Sequence, residues 1–170
     1  MAIQLCILLF PEVTNRSQID LYRARFDPLA KKIDPHVTLV FPFTPTSLKG
    51  DALAHYAAER IKGIGPFTLE ASTPAVIDKG YVYLGIDSGA KQIRRMHSSL
   101  YDGPLGSFLR TDVDYMPHIT IGRYADGRTE LAAREAAERL SGPFRAHIRE
   151  MVIERIGADE RSIVVSRLPL

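Results

Sequence analysis

Asp34-Pro35-His36-Val37-Thr38-Leu39-Val40-Phe41 is answered 82 residues later by Met116-Pro117-His118-Ile119-Thr120-Ile121-Gly122-Arg123. Both copies read Pro-His-[Val/Ile]-Thr-[Leu/Ile], and a motif doubled in this way divides a chain into related parts. A second pair of tokens recurs in the same order. Gly65-Pro66-Phe67 lies 29 residues after His36, and Gly142-Pro143-Phe144 lies 24 residues after His118.

The segments between these tokens also match in type. After the first motif, residues 51–62 place Leu53, Tyr56, Ala57 and Ile61 on one helical face, with Asp51 as N-cap and Gly63 as the stop. After the second, residues 129–141 form an Ala/Glu/Arg-rich helix with Leu131, Ala132, Ala136 and Leu140 facing in, ended by Gly142-Pro143. Strand candidates follow each helix, at 67–71 in one case and at 144–156 and 162–166 in the other. Upstream of the first motif, residues 3–10 are an apolar run of strand length. Ile19, Tyr22, Phe26, Leu29 and Ile33 then recur at helical spacing, with a restart at Asp27-Pro28. Upstream of the second, residues 81–86 read as a strand, and Ile93, Met96, His97, Leu100 and Tyr101 make a helical face. Each half, 1–75 and 76–170 with a seam around 72–79, therefore reads strand, helix, His-strand, helix, strand. No Gly-rich phosphate loop follows any strand, so the pattern predicts one α+β domain of two similar lobes over 1–170 rather than a dinucleotide-binding sheet.

Composition sets the class of molecule and stops there. The 170 residues carry 22 Lys+Arg against 20 Asp+Glu, a formal charge of +2, and are 45% hydrophobic and 25% charged. Such a chain buries enough apolar surface to order itself around one core. Its longest wholly apolar run, residues 5–10, is far short of the ~20 residues that span a bilayer. No Lys or Arg precedes that run and no small-residue cleavage site follows it, so a cytoplasmic protein with no membrane partner is expected. The single Cys6 cannot close an internal disulfide and is expected to pack as a small apolar residue. A charge of +2 is too small for a sequence-blind nucleic-acid binder.

Function has to come from the repeated motif. On a strand, residues two apart share a face, so His36 projects with Thr38 and His118 with Thr120, while Val37, Leu39, Ile119 and Ile121 point the other way. Two lobes related by a pseudo-twofold axis would bring two imidazoles and two hydroxyls around one small volume. Such a group suits phosphoester chemistry: one imidazole takes a proton, the other gives one, and the hydroxyls hold non-bridging oxygens. A metal-ligand set fits less well, because neither motif places an acidic ligand near its His at helix-like spacing and no Cys is available to it. No metal or cofactor is expected.

The two copies, His36-Val37-Thr38-Leu39 and His118-Ile119-Thr120-Ile121-Gly122-Arg123, resemble the paired His-x-Thr/Ser-x motifs of the two-histidine (2H) phosphoesterase superfamily. The similarity lies nearest its 2′-5′ RNA ligase, or RNA 2′,3′-cyclic phosphodiesterase, branch. The resemblance covers nearly the whole chain in length and element order. It implies an α+β, bilobal fold of two pseudo-twofold-related lobes, each with an antiparallel sheet and flanking helices, around a central cleft. It also implies metal-free opening of a 2′,3′-cyclic phosphate on an RNA end or a small nucleotide, with His36 as acid, His118 as base, and Thr38 and Thr120 on the phosphate. The reverse reaction would join a ribose hydroxyl through a 2′-5′ linkage.

Beyond these four residues, Phe41, Phe43, Tyr115 and Tyr124 lie near the motifs as candidate base-stacking rings. Arg123 matches a basic position that often follows the second motif, although strict alternation sends it to the face opposite His118. The chain has no Trp, so short ends or small nucleotides are expected rather than structured RNA. His97 is expected to be a satisfied core residue, and His55 and His147 lack partners of matched spacing. Lys31-Lys32 and Arg94-Arg95 read as solvated helix faces. Nothing marks an obligate protein partner, and a monomer is the default. A different class remains open, a nucleotide-binding regulatory module that keeps the cleft without turnover.

Overall fold

The computed structural model describes residues 3–72 and 75–170; Met1, Ala2, Thr73 and Pro74, the last two inside the expected seam, lie outside the described residues. In chain order the elements are β1 (Gln4–Leu9), β2 (Glu12–Val13), α1 (Arg16–Phe26), β3 (Val37–Phe43), α2 (Asp51–Arg60) and β4 (Phe67–Ala71). They continue with β5 (Val76–Asp78), β6 (Tyr81–Gly85), α3 (Ala90–Tyr101), a 3₁₀ turn (Pro104–Phe108), β7 (His118–Arg123), α4 (Gly127–Ala137), β8 (Phe144–Ile148), β9 (Glu150–Ile156) and β10 (Ser162–Pro169). The strand, helix, His-strand, helix, strand order recurs as β1-α1-β3-α2-β4 and β6-α3-β7-α4-β8.

All pairings are antiparallel, and the fold is α+β. One lobe is built on the sheet β10-β9-β1-β3, the other on β5-β6-β7, and β2-β8-β4 forms a third sheet linked to the second lobe by an Ala71–Ile86 bridge. The lobes exchange elements across the repeat. β9 and β10, from the C-terminal half, complete the sheet of β1 and β3. α1 packs on β7 of the other lobe, and α3 packs on β3. The stretch 144–156, read as one strand, breaks at Arg149: β8 pairs with β4 while β9 pairs with β1.

Three local readings are corrected. The helix expected to restart at Asp27-Pro28 ends at Phe26, because a residue before proline is driven out of the helical region. Asp27 is extended (φ −117°, ψ 110°), and its carboxylate accepts instead from the Leu29 N–H at 2.9 Å. The cap of α2 is Gly50, and Asp51 occupies the first turn, where its charge favours the helix dipole. On α4 the fully buried residues are Ala133 and Ala137; Ala136, and Leu140 just past the helix, pack half-buried against the core as expected, but Leu131 is 58% exposed. The small residues allow close approach: the Tyr22 hydroxyl of α1 donates to the Ala133 carbonyl at 2.9 Å. Asp126 begins that helix as part of a capping box with Thr129. Among the described residues no helix is long and apolar enough to cross a membrane.

Candidate active site

The two motifs fold as their alternation requires. Val37, Leu39, Ile119 and Ile121 are fully buried, whereas His36, Thr38, His118 and Thr120 are half-buried on the opposite faces. β3 and β7 belong to different sheets but come into contact. The Tyr115 hydroxyl, in the segment entering β7, donates to the Thr38 carbonyl of β3 at 2.7 Å. The Tyr115 ring stacks on His97 of α3 with centroids 3.5 Å apart, and His97 Nδ1 lies 2.8 Å from the Leu39 carbonyl. From the same helix, Tyr101 accepts the Phe41 N–H at 3.1 Å. The His-strand is thus pinned by side chains that belong to the second motif's half of the sequence.

Both motif histidines are held in the same way. His36 Nδ1 lies 2.8 Å from the Asp34 carbonyl, and His118 Nδ1 lies 2.7 Å from the Met116 carbonyl. A carbonyl can only accept, so each Nδ1 carries the proton and each Nε2 is left with its lone pair. Burial pushes both imidazoles below the ordinary histidine pKa, against the opposing pull of those carbonyls. Their neighbours differ. The Phe10 ring stands 6.1 Å from His36, and the Tyr83 ring stands 4.8 Å from His118.

Arg123 stands on the same face as His118, for a reason that alternation alone does not supply. Thr120 pairs with Tyr83 and Gly122 with Val82, so Ile121 is an extra residue on β7. This bulge makes Ile121 and Gly122 buried in succession and flips the parity of the residues after them. Arg123 consequently pairs with Tyr81 and lays its guanidinium 5.3 Å from that ring's centroid. Tyr81 and Tyr83, both beside the second motif, were not among the sequence candidates. The available signals were their two-residue spacing on one strand and a glycine inside the partner strand.

The other aromatic candidates separate. Phe43 is 4% exposed and packs on Phe108 in the core, and Tyr115 is committed to His97 and Thr38. Phe41 is half-buried beneath the Arg110 guanidinium, and Tyr124 is half-buried with its N–H on the Gly80 carbonyl. His55 and His147 are exposed. Lys31 and Lys32 follow α1 in a turn, where Lys32 pairs with Glu160. Cys6 is buried but is not a mere apolar filler: its thiol donates to Glu154 Oε1 at 3.1 Å. Among the described residues no three His, Cys, Asp or Glu side chains come together as a metal site.

Residues 10–160 match the family model of the 2′-5′ RNA ligase superfamily. The chain belongs to that superfamily. A Bacillus pumilus protein provisionally named a phosphoesterase is 28% identical over 120 residues, covering 69% of this chain and 68% of the relative. A provisionally named phosphoesterase of Geobacillus kaustophilus is 24% identical over 137 residues, 76% of this chain and 78% of that one. Among solved structures, Escherichia coli LigT complexed with 3′-AMP aligns at TM-score 0.69 and 19% identity, over 100% of this chain and 99% of that one. LigT complexed with NADP+ aligns at 0.64 and 20% identity, over 99% and 98%. The two-lobed α+β fold of this superfamily member is therefore that of LigT, and its activity class is that of the 2H phosphoesterases.

Proposed function

We propose that this 2H superfamily chain opens 2′,3′-cyclic phosphates on RNA ends or small nucleotides, as a cytoplasmic monomer that uses no metal. The observation that carries the reading is the duplicated Nδ1–carbonyl hydrogen bond, which presents an unprotonated Nε2 from each motif. His118 Nε2 takes a proton from water as the water oxygen bonds to phosphorus. The bond from phosphorus to O3′ breaks, and His36, protonated at Nε2, delivers its proton to that oxygen. The products are a 2′-phosphate and a 3′-hydroxyl, and proton exchange with solvent resets the pair. With a ribose 5′-hydroxyl in place of water the same steps form a 2′-5′ linkage.

The remaining groups fit this course. Thr38 and Thr120 donate to the non-bridging oxygens, and Arg123 offsets charge that builds on them. Two imidazoles made neutral by burial supply the base directly. The acid form is induced by the substrate, because a phosphate anion beside His36 favours the imidazolium. Half-buried Phe41 and Tyr124, with Tyr81 and Tyr83, offer rings for a base or ribose.

A panel of 2′,3′-cyclic mononucleotides, short RNA with a cyclic end and 2′-5′-linked oligonucleotides, assayed in EDTA with phosphorus NMR of the product, tests the proposal. Turnover that survives EDTA and yields the 2′-phosphate supports it. Loss of turnover in EDTA overturns the mechanism. Affinity for a mononucleotide without hydrolysis of any cyclic phosphate would instead make the chain a nucleotide-binding module.

A further inference from the structure

We propose that Glu154 is a positioning residue for the proton-donating histidine: a buried carboxylate behind the first motif that favours the imidazolium of His36 and leaves His118 unaffected. The inference rests on the acid and base roles proposed above. Glu154 lies on the catalytic face of the first sheet. It pairs with Cys6, Leu8 pairs with both Val152 and Thr38, and Thr38 shares its face with His36. Cys6, Leu8, Val152 and Glu154 are all buried there, although Glu154 is a charged residue only 3% exposed.

The groups around this carboxylate do not neutralise it. Its two oxygens accept from the Cys6 thiol of β1 and the Ser162 hydroxyl of β10, and neither donor is a cation. Burial and the adjacent carboxylate push the Cys6 thiol up, so it stays protonated as a donor. The nearby charges are already matched. Arg23 and Asp27, at the end of α1, form a buried ion pair at 2.9 Å, and Lys32 pairs with Glu160. Arg23 also donates to the Ile33 carbonyl at 2.7 Å, which fixes the segment that enters His36. A desolvated negative charge without a contacting cation acts over a longer range than an exposed one. On this face the ionisable side chain of the first motif is His36. The directions agree: burial lowers the His36 pKa, the Asp34 carbonyl and after it Glu154 raise it, and Arg23 and Asp27 oppose each other.

The second lobe supplies the comparison. There Tyr83 pairs with Thr120 as Leu8 pairs with Thr38, and the residue opposite Tyr81 on the next strand is Asp78. Asp78 thus occupies the place of Glu154, but it is exposed, where water screens it. His118 feels burial and the Met116 carbonyl and no carboxylate. A site nearly symmetric in its reacting groups is made electrostatically unsymmetric by one buried side chain.

The test is NMR titration of both imidazole Cε1 protons in the native protein, Glu154→Gln and Glu154→Asp, without substrate. In Glu154→Gln the His36 midpoint is expected to fall by on the order of one pH unit, while His118 stays in place. Glu154→Asp should restore His36. In turnover, the alkaline limb of the kcat profile should move to lower pH by the same interval, with the acid limb and KM held. An unmoved His36 in folded Glu154→Gln, or equal movement of both histidines, overturns the proposal. If Glu154→Gln does not fold, carboxyl-carbon NMR of the native protein decides: a Glu154 protonated at neutral pH overturns it, and an ionised one supports it. Because the titration needs no substrate, failure of the cyclic phosphodiesterase reading is seen separately.

Discussion

The Tyr115 hydroxyl donates to the Thr38 carbonyl at 2.7 Å, joining the segment that leads into the second histidine to the strand that carries the first. Phe41 and Leu39 on the same strand are held by Tyr101 and His97 of α3. Removing this one bond should loosen the relative placement of the motifs with little change in packing. Tyr115→Phe is expected to lower stability by about 1 kcal/mol, the net value of a half-buried hydrogen bond. It should also reduce kcat several-fold with KM nearly unchanged, since misplacement of reacting groups is felt at the transition state. Steady-state kinetics with urea unfolding would check both, and an unaltered kcat would show that Tyr115 serves the fold alone.

Under the proposed mechanism each motif imidazole should be indispensable on its own. His36→Ala and His118→Ala are expected to lower turnover of a cyclic phosphate by about 10²–10⁴-fold, the usual contribution of a positioned acid or base. Both side chains are half-buried at strand ends, so the circular dichroism spectrum and cooperative melting should persist. A folded variant with near-normal turnover would remove that residue from the mechanism.

Gly122 is required by the approach of α1 to β7. A Cβ there would stand 3.1 Å from Tyr22 Cε1 and 3.2 Å from the Phe26 Cβ, closer than side chains normally come. Gly122→Ala should cost about 1–3 kcal/mol as α1 is pushed off the strand. The same bulge turns Arg123 toward His118, so the surviving folded protein should also lose affinity for substrate. Arg123→Gln isolates that second effect: KM is expected to rise while the melting temperature holds, because Arg123 is exposed.

Much of this was legible in the residues. The alternation of His36-Val37-Thr38-Leu39 and its copy defined both strands and the faces they present. The apolar spacing of α3, including His97, matched its buried side. What escaped were properties set by partners rather than by a segment's own pattern. Residues 144–156 are continuously strand-like, and only the free edges of two different sheets decide that the chain changes sheet at Arg149. Leu131 obeys helical spacing yet faces water, because Tyr22 brings α1 close enough to admit only alanines. Glu154 sits among Met151, Val152 and Ile153 with nothing local to mark it; its meaning comes from Cys6 and Ser162 across two strand pairings.

Acid should destabilise the fold through its histidines. Burial lowers the pKa of His36, His97 and His118 from the ordinary 6.5, so each binds its proton more weakly folded than unfolded. The unfolded chain then holds more protons in the interval between the two values, and stability rises with pH across it. The full stabilisation is present above about 6.5 and is lost as pH falls through that interval toward the folded pKa values. His97 is the most buried of the three, at 6% exposed, and its Nδ1–H must keep the Leu39 carbonyl in either state. Urea unfolding between neutral pH and the mildly acidic range should give a free energy that declines with acid, and His97→Gln should flatten the decline. Adding a phosphate-bearing nucleotide should flatten it further, because an anion between His36 and His118 favours their charged forms and offsets the loss. A decline of the same slope with and without the nucleotide would place the bound anion away from the two imidazoles.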